Sequence, residues 1–395
     1  MKTTAAPDTL SLILILGALM AFTSLSTDIY LPAMPQMSAD LHGNAELTVT
    51  GFLIGFAVAQ LFWGPVSDRI GRKKPLFAGM VLFAAGSVGC ALSDSIGEIV
   101  FWRVFQAVGA CTAPMLARAV IRDLYGQAQA AQMLSTLTVV MAAAPIIGPL
   151  LGGQIIRLTS WHAIFWLLAL IGAAMLPALL KLPETHPAAK RRREPLWHAF
   201  SHYGELLANK IFMRYVACVA LFYTAAYAFI VGSPFVYIDY FGIDAQHYGW
   251  LFALNILGVM ALSVINRRLV NRFSLDQLLR VATTVAALAG FITALCAYSG
   301  FGGIYGIVLP VFVFFATNGI IAACATAAAL NGVPHIAGAA SALIGSLQYG
   351  SGIVSSLLLA AFADGTPQTM ALIIAVFAVG SMIAAQLRLR PSASI

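Results

Sequence analysis

The chain is predicted to be an all-α integral membrane protein with twelve transmembrane helices in two six-helix bundles, and three observations predict it. Of its 395 residues 60% are hydrophobic and only 9% charged, more apolar surface than a water-soluble core of that length can hide. The apolar residues fall in runs long enough to cross hydrocarbon, which takes about 20 residues at a rise of about 1.5 Å each. The charged residues gather in the turns between those runs.

In chain order the expected spans are 10–32, 47–67, 75–93, 98–120, 131–156, 161–181, 212–235, 247–266, 277–298, 303–330, 336–361 and 368–387. The first follows Lys2 in the manner of a signal peptide, but no A-x-A cleavage site follows it and further spans do, so it is expected to be retained. With the amino terminus inside, the inner segments hold Lys2, then Arg69, Arg72, Lys73 and Lys74, then Arg118 and Arg122. They continue with the basic residues from Lys181 to Arg214, those from Arg267 to Arg280, and Arg388 and Arg390. Of 22 Lys and Arg only Arg103 and Arg157 fall elsewhere, so the bias places both termini in the cytoplasm. The outer turns carry Asp40, Glu46, Asp94, Glu98, Asp239, Asp244 and Asp364 instead.

The longest connection, with Lys190-Arg191-Arg192-Arg193, divides six spans from six. The expected organisation is an amino-terminal bundle over 1–181, a cytoplasmic linker over 182–209 and a carboxy-terminal bundle over 210–395. The turn after the second span, Ser67-Asp68-Arg69-Ile70-Gly71-Arg72-Lys73-Lys74, has a degenerate counterpart after the eighth, Asn266-Arg267-Arg268-Leu269-Val270-Asn271-Arg272-Phe273. An internal duplication leaves such a pair, and positive-inside bias alone produces one too.

Several function classes drop out. The formal charge of +7 lies in turns rather than on one face, which argues against a nucleic-acid partner. Cys90, Cys111, Cys218, Cys296 and Cys324 all sit in apolar runs without a C-x-x-C pair, so packing is their expected role and no metal or cofactor is expected. His162, His198, His202, His247 and His335 fall at span ends or in loops, and no nucleophile with a base accompanies them, so an enzyme is not expected. No extramembrane segment is large enough to fold as a partner-binding domain.

A charge at mid-bilayer costs about 2.5–3.5 kcal/mol on insertion scales, which singles out Asp28 in the first span and Arg103 in the fourth. Asp28 is expected a few residues before the outer end of its helix and Arg103 about five residues after the outer start of its own, depths that match to within about a turn. They are placed to pair directly or through water; the alternative is that each meets water at the outer interface. Gln106, three residues from Arg103, shares its helix face and can orient either group. Candidate cavity-lining positions are Phe52, Phe56 and Gln60 in the second span, Tyr223 and Tyr227 in the seventh, and Asn255 in the eighth. Phe315 and Asn318 in the tenth and Gln348 in the eleventh complete the set. An amide in hydrocarbon needs partners, so the two asparagines weigh most. With no carboxylate besides Asp28, such a cavity favours neutral or weakly charged lipophilic compounds.

The turn Gly64-Pro65-Val66-Ser67-Asp68-Arg69-Ile70-Gly71-Arg72-Lys73-Lys74 closely resembles the G-x-x-x-D-R-x-G-R-[RK] signature of the major facilitator superfamily. Further segments resemble its proton-coupled drug-efflux members: Asp28-Ile29-Tyr30-Leu31-Pro32-Ala33-Met34-Pro35, Arg103-Val104-Phe105-Gln106-Ala107-Val108-Gly109 and Gly148-Pro149-Leu150-Leu151-Gly152-Gly153. With Ser233-Pro234-Phe235-Val236-Tyr237 they look most like the bicyclomycin- and chloramphenicol-resistance (Bcr/CflA) branch, although Ala107 and Ala144 stand where the patterns usually have Gly.

The resemblance implies a monomeric antiporter of a bacterial inner membrane that exchanges protons for small amphipathic drugs by alternating access. The same fold moving a metabolite such as an amino acid or nucleoside is the alternative. It implies that Asp28 accepts the coupling proton or contacts a cationic drug, and that Arg103 is linked to proton coupling. It implies that Gly64, Asp68, Arg69, Gly71, Arg72 and Asp123 form a cytoplasmic gate, with Asp68 toward the start of the eleventh helix near Gly338-Ala339-Ala340-Ser341 and Arg72 toward Asp123. Pro145, Gly148, Pro149, Gly152 and Gly153 match the segment that marks antiporters, and plain helix packing explains their spacing as well.

Overall fold

The computed structural model describes residues 9–387 apart from 126, 188, 190, 192–195 and 363, so Lys2, Lys190, Arg192, Arg193, Arg388 and Arg390 lie outside the described residues. Twelve described segments are long and apolar enough to cross a membrane, and no strand occurs among the described residues. The described chain falls into two compact units, one up to residue 196 together with 245–249, the other 197–244 together with 250 onward. Large apolar side chains such as Leu170 (66% exposed) and Phe291 (61%) stand outward along the spans, where lipid is the solvent that covers them.

In the first unit α1 (Thr9–Asp28) ends in a turn, winds on as a 3-10 segment (Leu31–Ala33) and restarts as α2 (Met34–Asp40). Pro32 and Pro35 have no N–H with which to continue the α1 ladder. The chain nonetheless stays in the protein interior, since Tyr30, Leu31, Ala33, Met34 and Met37 are fully buried. The first span therefore runs from Ser11 to Asp40 rather than stopping at 32: the prolines that suggest an exit only break the helix within the span. It is followed by α3 (Glu46–Ile70), α4 (Lys73–Ala91), α5 (Ile96–Leu124), α6 (Gln127–Leu158) and α7 (Trp161–Leu180). The side chain of Ser95 caps α5 by accepting from Glu98 N at 3.3 Å. Helix α5 packs against α1, α3 and α4, which makes it the axis of the unit and sets Arg103 inside it.

The second unit starts with the short helix α8 (Leu196–Ala208) in the connection, followed by α9 (Lys210–Pro234), which passes into a π-helical stretch (Phe235–Tyr240) that carries the seventh span to Tyr240. Then come α10 (Ala245–Leu269), α11 (Leu275–Ser299), and a tenth span interrupted at Thr317 into α12 (Gly303–Ala316) and α13 (Asn318–Asn331). Helices α14 (Ala337–Phe362) and α15 (Pro367–Gln386) complete it. Its core holds an aromatic cluster in which Phe222 stacks on Phe314 (4.8 Å between centroids) and Phe229 meets Phe315 (5.0 Å). Arg214, near the start of α9, ties it to the start of α11 and to the end of α15, donating to Asp276 Oδ1 at 2.6 Å and to the Leu387 carbonyl at 2.7 Å.

Candidate functional site: a caged arginine beside a carboxylate at a helix break

Asp28 is the last residue of α1, placed there because the turn at Ile29 and Tyr30 and then Pro32 stop the helix. It is 6% exposed and precedes the whole of the turn, the 3-10 segment and α2, so it lies deeper in its span than an end at residue 32 implied. Its carboxylate accepts from Thr27 Oγ1 at 2.9 Å.

Arg103, on α5, is fully buried. Of the arrangements expected, the direct pair with Asp28 does not form: one guanidinium nitrogen, Nη1, donates to the Ser26 carbonyl at 3.0 Å and to Gln106 Oε1 at 2.6 Å. The face of the guanidinium lies 4.3 Å from the centre of the Tyr30 ring and 4.4 Å from that of Phe52, with Phe165 at 6.0 Å. Nε and Nη2 have no hydrogen-bond partner among the described residues. The aromatic quadrupoles and one backbone carbonyl take the place of a carboxylate, and each ring contributes about 2 kcal/mol in so dry a place. Gln106 continues the chain: its Nε2 donates to Ser87 Oγ at 2.7 Å, and Ser87 Oγ donates to the Phe83 carbonyl at 2.7 Å. Gly86 lets α4 come close to α5 here, since a Cβ there would fall 2.5 Å from the Gln106 backbone nitrogen.

The glycines of α6 hold the break itself. A Cβ on Gly148 would lie 3.3 Å from Ile29 N and 3.4 Å from Asp28 Cβ, and one on Gly152 would run into the Ile29 carbonyl. Pro145 and Pro149 sit within α6 without ending it, and Gly153 is buried. The absence of side chains at 148 and 152 thus lets α6 lie directly against the backbone at Asp28.

A second cluster forms at the other end of the unit. Arg72 Nη1 meets Asp68 Oδ1 at 2.6 Å and Ser67 Oγ at 2.7 Å, and its Nε meets Asp123 Oδ2 at 3.1 Å. Gly71 takes φ 95°, a left-handed conformation that favours glycine, to turn the chain between α3 and α4. Gly64 has open space around it and Arg69 is exposed. Sequence reasoning missed Glu184, whose Oε1 accepts from Arg72 N at 2.9 Å and whose Oε2 accepts from Lys73 N at 3.2 Å. The carboxylate caps the first amides of α4, where an anion is favoured. Its only signal in sequence is an acid at the head of a basic connection.

Of the cavity positions, Phe56 stacks on Phe52 at 6.1 Å, and Gln60 one turn on has a buried Oε1 with no partner. In the second unit the Tyr223 ring is 6.4 Å from that of Tyr227, which is 6.5 Å from Tyr349. Asn255 donates to the Leu251 carbonyl at 3.3 Å, while Asn255 Oδ1 and Asn318 Oδ1 are buried without partners among the described residues. Phe315 is spent on the aromatic core, packed on Phe229 and Phe314, and Gln348 is half-buried on α14. Thr27, Ser87, Phe165 and Glu184 were not singled out by sequence. Glu46, expected in an outer turn, is 7% exposed at the head of α3, so Asp28 is not alone as a buried carboxylate.

Comparison with known proteins places these features in a family. A profile of the Major Facilitator Superfamily matches residues 14–356. The chain is 30% identical to a bicyclomycin resistance protein homolog of Haemophilus influenzae, with 92% of each chain covered. It is 28% identical to multidrug resistance protein D of Escherichia coli, with 88% of each covered. In fold it resembles the crystal structure of the nucleoside transporter NupG at a TM-score of 0.77, with 14% identity over 95% of this chain and 97% of that one.

Proposed function

The chain belongs to the major facilitator superfamily, a family of membrane transporters and not of enzymes, and from that premise we propose that it is a proton-coupled antiporter exporting small amphipathic drugs of phenicol or bicyclomycin type. The observation that carries the reading is the separation of Asp28 from Arg103. Because Arg103 is held by a carbonyl, an amide and two aromatic faces, Asp28 can gain or lose a proton without breaking an ion pair. A carboxyl in that position reports its charge directly to the break in the first span and to the α6 glycines packed on it. The names of two relatives, one for bicyclomycin resistance and one for multidrug resistance, support a drug as the cargo.

In this reading the protein is a monomer in a bacterial inner membrane, with both termini in the cytoplasm. Its bundles, 1–181 and 210–395, alternate their access about the connection 182–209. Proton entry from outside neutralises Asp28, and its release inside resets the cycle. Each charge carried through the full potential contributes about 2.3 kcal/mol per 100 mV to export. Asp68, Arg72 and Asp123 act as a latch on the cytoplasmic side. Phe56, Gln60, Tyr223, Tyr227, Asn255 and Asn318 line the route of a neutral or weakly charged cargo. The carbonyl oxygens of Asn255 and Asn318, without a hydrogen-bond partner among the described residues, suit a hydroxyl- or amide-bearing cargo, drug or metabolite alike. Counterflow with labelled phenicol, bicyclomycin and cysteine separates the two.

The mechanism is tested in proteoliposomes with an imposed pH gradient, comparing the wild type with Asp28→Asn. The variant is expected to lose gradient-driven transport while keeping exchange of labelled cargo. Full gradient-driven export by Asp28→Asn would show that the proton is carried elsewhere.

A further inference from the structure

The hydroxyl of Thr27 faces three oxygens at once: Asp28 Oδ1 at 2.9 Å, the Thr23 carbonyl at 3.1 Å and the Ser24 carbonyl at 3.1 Å. It has one hydrogen to give and lone pairs to receive with. We propose that Thr27 is a positioning residue that serves the Asp28 carboxyl in both of its charge states, as donor to the carboxylate and as acceptor from the acid. This inference rests on the reading of Asp28 as the proton site.

With Asp28 ionised, the Thr27 O–H points at Oδ1 and gives a charge-assisted hydrogen bond. When a proton arrives from solution and an O–H bond forms at Oδ1, that O–H donates to Thr27 Oγ1, and the threonine hydrogen turns to the carbonyl of Thr23 or Ser24. The exchange is a rotation about Cβ–Oγ; no heavy atom moves, and the threonine keeps its own proton throughout. Release of the proton reverses the rotation. Both carbonyls belong to the last turns of α1, and a carbonyl oxygen has two lone pairs, so each can take the hydroxyl beside a helical amide.

No other described group competes for this role. Helices α5, α6 and α7 pack on α1. From α5 the charged neighbour is Arg103, whose described hydrogen bonds go to Ser26 and Gln106. The α6 stretch 144–153 carries no titratable side chain, and the one on α7, His162, stacks on Trp161 at the start of that helix. On the same chain Tyr30 shares a hydrogen bond with Thr48 at 3.2 Å.

The test titrates the purified protein in lipid by infrared difference spectroscopy, following the protonated-carboxyl C=O band that Asp28→Asn removes. A charge-assisted hydrogen bond is about twice as strong as the neutral one lost with it, so Thr27→Val penalises the ionised form more. The midpoint in T27V is expected to rise by about one pH unit, a tenfold change in proton affinity, with the band at higher frequency. Thr27→Ser, which keeps the hydroxyl, should hold the wild-type midpoint and frequency. T27A takes the place of T27V if the valine variant does not accumulate in the membrane. A wild-type midpoint and frequency in the hydroxyl-free variant, or a T27S that behaves like it, overturns the role of Thr27 and leaves the Asp28 reading standing. A spectrum in which Asp28→Asn removes no titrating band overturns both.

Discussion

Arg103 shows how a full charge is kept in a dry interior without a counter-ion. Its guanidinium is planar and weakly hydrated, which lets Tyr30 and Phe52 cover it at 4.3 and 4.4 Å while one edge reaches Ser26 and Gln106. A lysine ammonium carries the same charge on a compact, strongly hydrated head that needs acceptors matched in three directions. It cannot lie flat between rings. Arg103→Lys is therefore expected to lower stability by about 2 kcal/mol, through the lost stacking and a poorer set of hydrogen bonds, and to impair transport. Thermal unfolding in detergent measures the first effect. A melting temperature equal to wild type would mean that charge alone, and not the shape of the guanidinium, is what the cage holds. The residue types at this site were legible in the sequence, because an arginine and an aspartate in apolar runs stand out. The cage was not: Tyr30, Phe52 and Phe165 come from three different spans, and nothing in the spacing of any one of them points at Arg103.

At the scale of elements, the glycines of the motifs have unequal work. Gly152 lies where α6 touches the break in the first span, and a Cβ there meets the Ile29 carbonyl, which belongs to backbone and cannot swing aside. Gly64 has open space around it. Gly152→Ala is thus expected to cost about 1–3 kcal/mol through overpacking. Gly64→Ala should be neutral or raise stability by up to about 1 kcal/mol, since alanine is the better helix former. Paired melting curves decide it, and equal losses at both positions would mean that the close approach of α6 to Ile29 is not what Gly152 provides. The small-residue stripe was visible in sequence, but the surface it meets was not. The apolar pattern suggested an exit at Pro32, and only the burial of Leu31, Ala33, Met34 and Met37 shows that the chain carries on through α2. The break at Thr317 was hidden for a related reason: Pro310 lies seven residues upstream of it, inside α12, so no proline marks the point where the helix stops.

For the molecule as a whole, the number of spans was legible because lipid demands unbroken apolar length, and all twelve expected runs coincide with segments able to cross a membrane. The difference between the halves was less so. The turn after the second span gathers Asp68, Asp123 and Glu184 around Arg72 and the start of α4, the last of these from 112 residues away. In the related turn after the eighth span, Asn266 stands without an acid and accepts from Cys324 Sγ at 3.7 Å, while Arg267 and Arg268 are exposed. Charge bias alone accounts for those arginines, and it fixes an orientation that can be measured. The turns after the second and eighth spans and the connection after the sixth hold basic residues, whereas those after the third, seventh and eleventh hold Asp94, Glu98, Asp239, Asp244 and Asp364. Basic residues flanking spans stay on the cytoplasmic side, so the basic turns should face inward. Alkaline phosphatase, which is active only outside the cytoplasm, is expected to be active when fused after Asp94 or Asp364 and inactive after Lys74 or Asn209. Activity after Lys74 would invert the molecule, put the Asp68–Arg72–Asp123 cluster on the outer face and place Asp28 on the outward side of its break, which reverses the direction of transport the proton drive supports.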